Sequence, residues 1–139
     1  MRVVLDTNIL VSGLLTPEGS CRRILDLVLD GTLRPCADDR ILEEYARVLR
    51  RASLNLPAAH VDDLLDVVRH GGERIVAGPL PARLPDSSDT PFLEVAATAE
   101  AVLVTGNTRH FPAAACAPVP VVGPSEFLGI LGRISGAGD

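Results

Sequence analysis

Lysine is missing from this chain: all thirteen basic residues are arginine. Its absence excludes Walker-type phosphate loops, Schiff-base chemistry and phosphoaspartate sites that depend on a lysine ammonium. Tryptophan is absent too, and the aromatics come to one Tyr and three Phe, so the core has to be aliphatic. The three cysteines, Cys21, Cys36 and Cys116, are odd in number, far apart and form no CxxC pair. Neither a disulfide framework nor a zinc site is expected, and the thiols read as reduced core residues of a cytoplasmic protein. No run approaches the roughly 18 apolar residues of a membrane span. Asp6 also breaks the apolar N-terminal segment, so no secretory leader is expected. Positive charge is in deficit, with 18 acidic residues against 13 basic and a net charge of −5. Bulk positive charge therefore does not hold a polyanion here; local arginines or a metal ion would have to.

What remains is a globular composition, 47% apolar over 139 residues, enough for one domain. That domain is expected over residues 1–133, with a flexible tail from 134 to 139. Arg2-Val3-Val4-Leu5 reads as a buried strand, and Asn8 to Leu15 as a helix closed by Thr16-Pro17-Glu18-Gly19. Ser20 is placed to cap a helix with Ile24, Leu25, Val28 and Leu29 at helical spacing. Leu33–Ala37 is a second strand, and Asp38 or Asp39 caps a helix presenting Ile41, Leu42, Tyr45, Val48 and Leu49. Pro57 opens a helix with a Val61, Leu64, Leu65 and Val68 stripe. Arg74–Ala77 is a third strand, followed by a proline-rich loop. Asp89-Thr90-Pro91 has the form of a helix start, with Phe92, Leu93, Ala96 and Ala97 inward. Ala101–Thr105 and Pro120–Val122 are further strands, and Pro124 begins a last helix. Short strands alternating with helices imply a parallel sheet of about five strands in an α/β sandwich.

In such a sheet, ligands sit beyond the carboxyl ends of the strands. Asp6 and Asn107 each follow a strand, and Asp86 and Asp89 lie in a loop entering a helix. Of the adjacent acids Glu43 and Glu44, only Glu44 sits at the margin of the apolar helical face, about 60° from Ile41. Asp6, Glu44, Asp86, Asp89 and Asn107 are thus expected on one rim. Each has a plainer role as turn residue or helix cap, but several acids on one rim repel unless a cation compensates. Oxygen ligands without His or Cys favour Mg²⁺ or Mn²⁺. Such an ion acidifies a bound water and polarises a phosphoryl oxygen, so an acidic protein can hydrolyse a phosphodiester. Arg109, His110 and Arg47, together with Arg50 and Arg51, are candidate substrate contacts, although His110 also suits packing beside Phe111.

Val4-Leu5-Asp6-Thr7-Asn8-Ile9-Leu10-Val11-Ser12 resembles the opening of a PIN-domain nuclease. The resemblance continues through Ile41–Leu49, Asp86-Ser87-Ser88-Asp89-Thr90-Pro91-Phe92-Leu93-Glu94, Leu103–Pro112 and Val121–Leu128, in family order. It implies a PIN-like, Rossmann- or flavodoxin-like α/β/α sandwich with strand order 3-2-1-4-5. It also implies Mg²⁺- or Mn²⁺-dependent RNA cleavage, leaving a 5′-phosphate and a 3′-hydroxyl, as in VapC-type toxins with a cognate antitoxin. Carried over, Asp6, Glu44 and Asp89 are the acidic catalytic site, with Asp86 a further metal-binding acid. Asn8 and Thr105 orient the site. Asn107 stands where many members carry a fourth aspartate. A homodimer is implied as well, for which the helices around residues 20–31 and 57–68 offer apolar surface. The alternative is a catalytically weakened PIN-like module that binds RNA or an antitoxin without cleaving. Nucleophilic-aspartate phosphatases are disfavoured, since they want a second Asp where Asn8 stands, and a lysine.

Overall fold

The structure, a computed structural model, describes residues 1–81 and 83–137. Strand β1 (Arg2–Leu5) lies at the centre, where Val3, Val4 and Leu5 are fully buried as a strand covered on both faces requires. It pairs in parallel with β2 (Arg34–Ala37) on one side and β4 (Val102–Val104) on the other. β3 (Glu73–Arg74) and β5 (Val121–Val122) complete a five-stranded sheet in the order 3-2-1-4-5, as the resemblance implies. Every pairing is parallel, with Leu5 opposite Val104 and Val104 opposite Val122. All carboxyl ends therefore share one edge.

Helices α1 (Thr7–Leu15), α2 (Ser20–Leu29), α3 (Asp39–Leu49), α4 (Ala58–His70), α5 (Thr90–Ala99), α6 (Ala113–Cys116) and α7 (Pro124–Ala137) join and cover the strands. Asp38 caps α3, its carboxylate accepting from the Ile41 N–H at 3.0 Å. Ile41, Leu42, Tyr45 and Leu49 are buried along α3, while Val48 at its margin is partly exposed. Glu94, on α5, is buried among apolar neighbours because Arg40 at 2.8 Å and the Leu80 N–H at 3.0 Å satisfy its two oxygens. Through Leu80 it tacks the long segment after β3 to the body of the domain.

Several expectations need correction. The third strand is Glu73–Arg74, not Arg74–Ala77. Its partner β2 ends at Ala37, which still accepts from the Ile75 N–H at 2.9 Å, and Val76 beyond it is 92% exposed. Beyond Ile75 the run has no strand to pair with among the described residues. Ser20 is inside α2 rather than its cap; Gly19, at φ 105°, holds the cap position. Ala97 is only partly buried, and Val95 is buried in its place. Helix α7 runs to Ala137, past the expected boundary at 133, while Gly138 and Asp139 of the expected tail lie outside the described residues. Ile24, Leu25 and Val28 of α2 and Val61, Leu64, Leu65 and Val68 of α4 are core and not available to a second copy, whereas Leu29, expected on the α2 stripe, is 44% exposed.

Candidate active site

Asp6 is fixed by the neighbouring strand. Its N–H donates to the Val104 carbonyl at 2.9 Å, and its Oδ2 accepts from the Thr105 hydroxyl at 2.7 Å. The Thr105 oxygen in turn accepts from the Asn107 N–H at 3.0 Å. Asn8, on the first turn of α1, accepts from the Gly106 N–H at 3.1 Å through its side-chain oxygen. The ends of β1 and β4 are thus stitched together directly beneath the acid. Tyr45, buried on α3, donates its hydroxyl to the Leu5 carbonyl and draws α3 against the same strand end.

Helix α3 turns Glu43 to solvent and brings Glu44 to the rim, as the helical angle requires. The Thr7 hydroxyl donates to Glu44 Oε2. Arg47, three residues on, is 3.9 Å from Glu44 Oε1. From the other side, Asp86 folds a tight turn, its Oδ1 accepting from the Ser88 N–H at 2.9 Å and hydroxyl at 2.8 Å. The 3-10 turn Ser87–Asp89 then leads into α5. Asp89 occupies the N-cap position but makes no capping hydrogen bond. Its Oδ2 is shut off from solvent without a fully formed hydrogen bond among the described residues, and His110 Nδ1 lies 3.1 Å away. Asn107 Nδ2 is 3.0 Å from the opposite ring nitrogen of His110. Between Glu44 and Asp89 opens a cleft of about 520 Å³, also lined by Thr7, Arg47, Arg51 and Ser88.

Burial, and secondly the charge of Glu44, raise the Asp6 carboxyl above its ordinary value despite the Thr105 hydrogen bond. Asp89 is pushed up to about 6, by burial first and then by the charges of Asp6 and Asp86. Asp86 goes the other way, held low by the Ser88 N–H and hydroxyl. The folded chain thus keeps a proton on Asp89 up to about pH 6, whereas the unfolded chain releases it near 3.8. In that window the folded state binds more protons, so stability falls as pH rises and the loss is complete above it. The metal-free protein is expected to melt higher at pH 5 than at pH 7. Thermal melts in EDTA across this range check it, and Asp89→Asn should flatten the dependence.

A family profile for the PIN domain matches residues 2–109. The chain belongs to the PIN-domain family. No curated protein matches it in sequence. In fold it is similar to a chain of VapBC2 from Rickettsia felis, crystallised with a DNA fragment from its promoter. The TM-score is 0.55 at 16% identity, covering 88% of this chain and 98% of that one. PIN domains are generally nucleases that use divalent metal ions. The donor chemistry of this PIN domain fits such an ion: hard oxygens only, mutually repelling, with one buried carboxylate oxygen left short of a hydrogen bond. The spacing is that of a rim rather than a closed cage. Among the described residues, no three His, Cys, Asp or Glu side chains converge as a ready metal cluster.

The structure gathers Asp6, Glu44, Asp89, Asn8, Thr105, Asn107 and His110 at the rim of the PIN fold, with Asp86 close enough to raise Asp89. Arg47 borders the cleft, but Arg109 sits exposed on the 3-10 turn Thr108–His110. Arg50 is engaged by Asp62 at 2.8 Å, leaving Arg51 as the second arginine of the cleft. Thr7 was not legible as a partner for Glu44. Its one signal is its place directly after Asp6, where a first-turn hydroxyl faces the rim.

Proposed function

We propose that this PIN-domain protein is a Mg²⁺- or Mn²⁺-dependent endoribonuclease, the cytoplasmic toxin of a toxin–antitoxin pair. The observation that carries the reading is Asp89: a carboxylate buried beside Asp6 and Asp86, raised to about 6 and short of a hydrogen bond. Among the described residues only the oblique contact with His110 offsets its charge, so this acid is held ready for a cation. Asp6, Asp89, Glu44 and Asp86 are the residues to hold the ion, which when bound offsets their charge and that of a phosphate and acidifies water. Thr105 holds Asp6 in place, and Thr7 does the same for Glu44, so neither carboxylate has to be ordered during the reaction. Glu44 orients the attacking water. Arg47 and Arg51 receive the phosphates of the strand, since a guanidinium matches phosphate oxygens with a two-pronged donor set. Water adds to phosphorus, the bond to the 3′-oxygen breaks, and that oxygen leaves protonated, giving a 5′-phosphate and a 3′-hydroxyl.

The antitoxin partner is proposed from the fold likeness to VapBC2, and a homodimer with it. Any second copy has to use exposed apolar side chains such as Leu15 and, at the end of the α2 stripe, Leu29, which are 52% and 44% exposed. A binding module without catalysis is the second reading, favoured by the open spacing of the acids. The test is incubation of the purified protein with end-labelled single-stranded RNA in Mn²⁺, in Mg²⁺ and in EDTA. Cleavage with either ion, none in EDTA, and 5′-phosphate ends are expected. RNA retention without metal-dependent cleavage would establish the binding module instead.

A further inference from the structure

Resting on the nuclease reading, we propose that His110 positions Asp89 and that Asn107 sets the tautomer of His110, rather than standing in for a fourth metal-binding acid. The amide nitrogen of Asn107 only donates. It lies 3.0 Å from His110 Nε2, so Nε2 accepts. A neutral imidazole accepting at Nε2 carries its proton on Nδ1. Nδ1 is the atom 3.1 Å from Asp89 Oδ2, the buried oxygen short of a partner. Turning the Asn107 amide over would present its oxygen to Nε2 and demand the proton there, leaving a lone pair on Nδ1 facing a carboxylate. For a neutral ring, the contact with Asp89 therefore selects the amide orientation as well as the tautomer.

The chain continues behind Asn107. Its backbone N–H donates to the Thr105 oxygen at 3.0 Å, and that hydroxyl donates to Asp6 Oδ2 at 2.7 Å. Hydrogen bonds thus link Asp6, Thr105, Asn107 and His110, and the 3.1 Å approach of His110 Nδ1 brings the run to Asp89, a second carboxylate on a different element. An aspartate at 107 has no N–H to offer Nε2, so the asparagine is a different part and not a weaker copy of an acid. The His110 side chain is 43% exposed, so polar contacts rather than packing set its orientation. Its contact with Asp89 is oblique, as such contacts often are before substrate binds.

Two measurements test the inference. Long-range proton–nitrogen NMR of the metal-free protein at alkaline pH should show His110 with its proton on Nδ1, and Asn107→Ala should release that preference. A wild-type ring protonated on Nε2 would overturn the proposal. Separately, His110→Ala should weaken Mn²⁺ binding, measured without RNA, by about 10-fold or more, the range for residues that orient metal ligands. His110→Asn, which can place an amide N–H near Nδ1, should recover most of the loss. In RNA cleavage, kcat should fall with KM unchanged. A raised KM with unaltered Mn²⁺ affinity would return His110 to substrate binding and end the proposal. Wild-type protein with the expected tautomer but no RNA cleavage rejects the nuclease reading alone. An active enzyme with the opposite tautomer rejects only the role given to Asn107 and His110.

Discussion

Asp6→Asn is expected to lower metal-dependent RNA cleavage by roughly a thousandfold or more while raising the Tm of the metal-free protein. The loss follows from the several kcal/mol that a metal ion contributes to transition-state charge, at about 1.36 kcal/mol per factor of ten. An amide keeps the size of the side chain and can still accept the Thr105 hydroxyl. What it removes is a charge that burial and Glu44 both disfavour, which is why the Asp6 carboxyl is raised. Asparagine lifts that cost, so stability in EDTA should rise at neutral pH. The paired outcome is diagnostic, since a substitution that merely damages the fold loses activity and stability together. Cleavage assays and EDTA melts on the same preparation check it, and wild-type cleavage rates would remove Asp6 from the chemistry.

Gly72→Ala should be the most damaging small substitution, costing about 3 kcal/mol, the upper end for overpacking. Gly72 lies between the end of α4 and β3, and an added Cβ would stand 2.6 Å from the Val68 carbonyl and against the Pro35 carbonyl. Both obstacles are backbone, so no side-chain rotation relieves them, and β2 and α4 would have to part. For a chain of 139 residues the expected fall in Tm is roughly 10 °C. Gly132→Ala, in α7 with open space around it, is the control and should be neutral or slightly stabilising. Thermal denaturation of the two variants side by side measures the difference.

The placement of the acids was legible because it depends on topology and helical angle. A parallel sheet puts every strand end on one edge, so Asp6 had to face the same side as the residues after Val104. The 100° step along α3 was enough to choose Glu44 over Glu43. The strand order came from family resemblance, since no residue pattern states which strands are neighbours. The third strand was misplaced for a related reason. Ile75 and Val76 have strand chemistry, yet pairing is decided by where β2 ends, which is a property of two segments together. The buried pairing of Glu94 with Arg40, 54 residues apart, was equally invisible, because nothing local distinguishes a paired charge from a solvated one. The role of Asn107 lay deepest. Its identity suggested a weakened acid, and the role proposed for its amide rests on one atomic contact, that of Nδ2 with His110, which no sequence pattern announces.

The main-chain bond from Asp6 to Val104 has a mechanical consequence. The side of the cleft formed by Thr7 and Asn8 follows directly on this anchored strand end and yields only when the strands separate. The opposite side, carrying Asp86, hangs from the long crossover that follows β3 and is tacked down at Leu80. Adjustment of the aperture to nucleic acids of different girth therefore falls to the Asp86 side, and heating should silence the nuclease before the scaffold itself gives way.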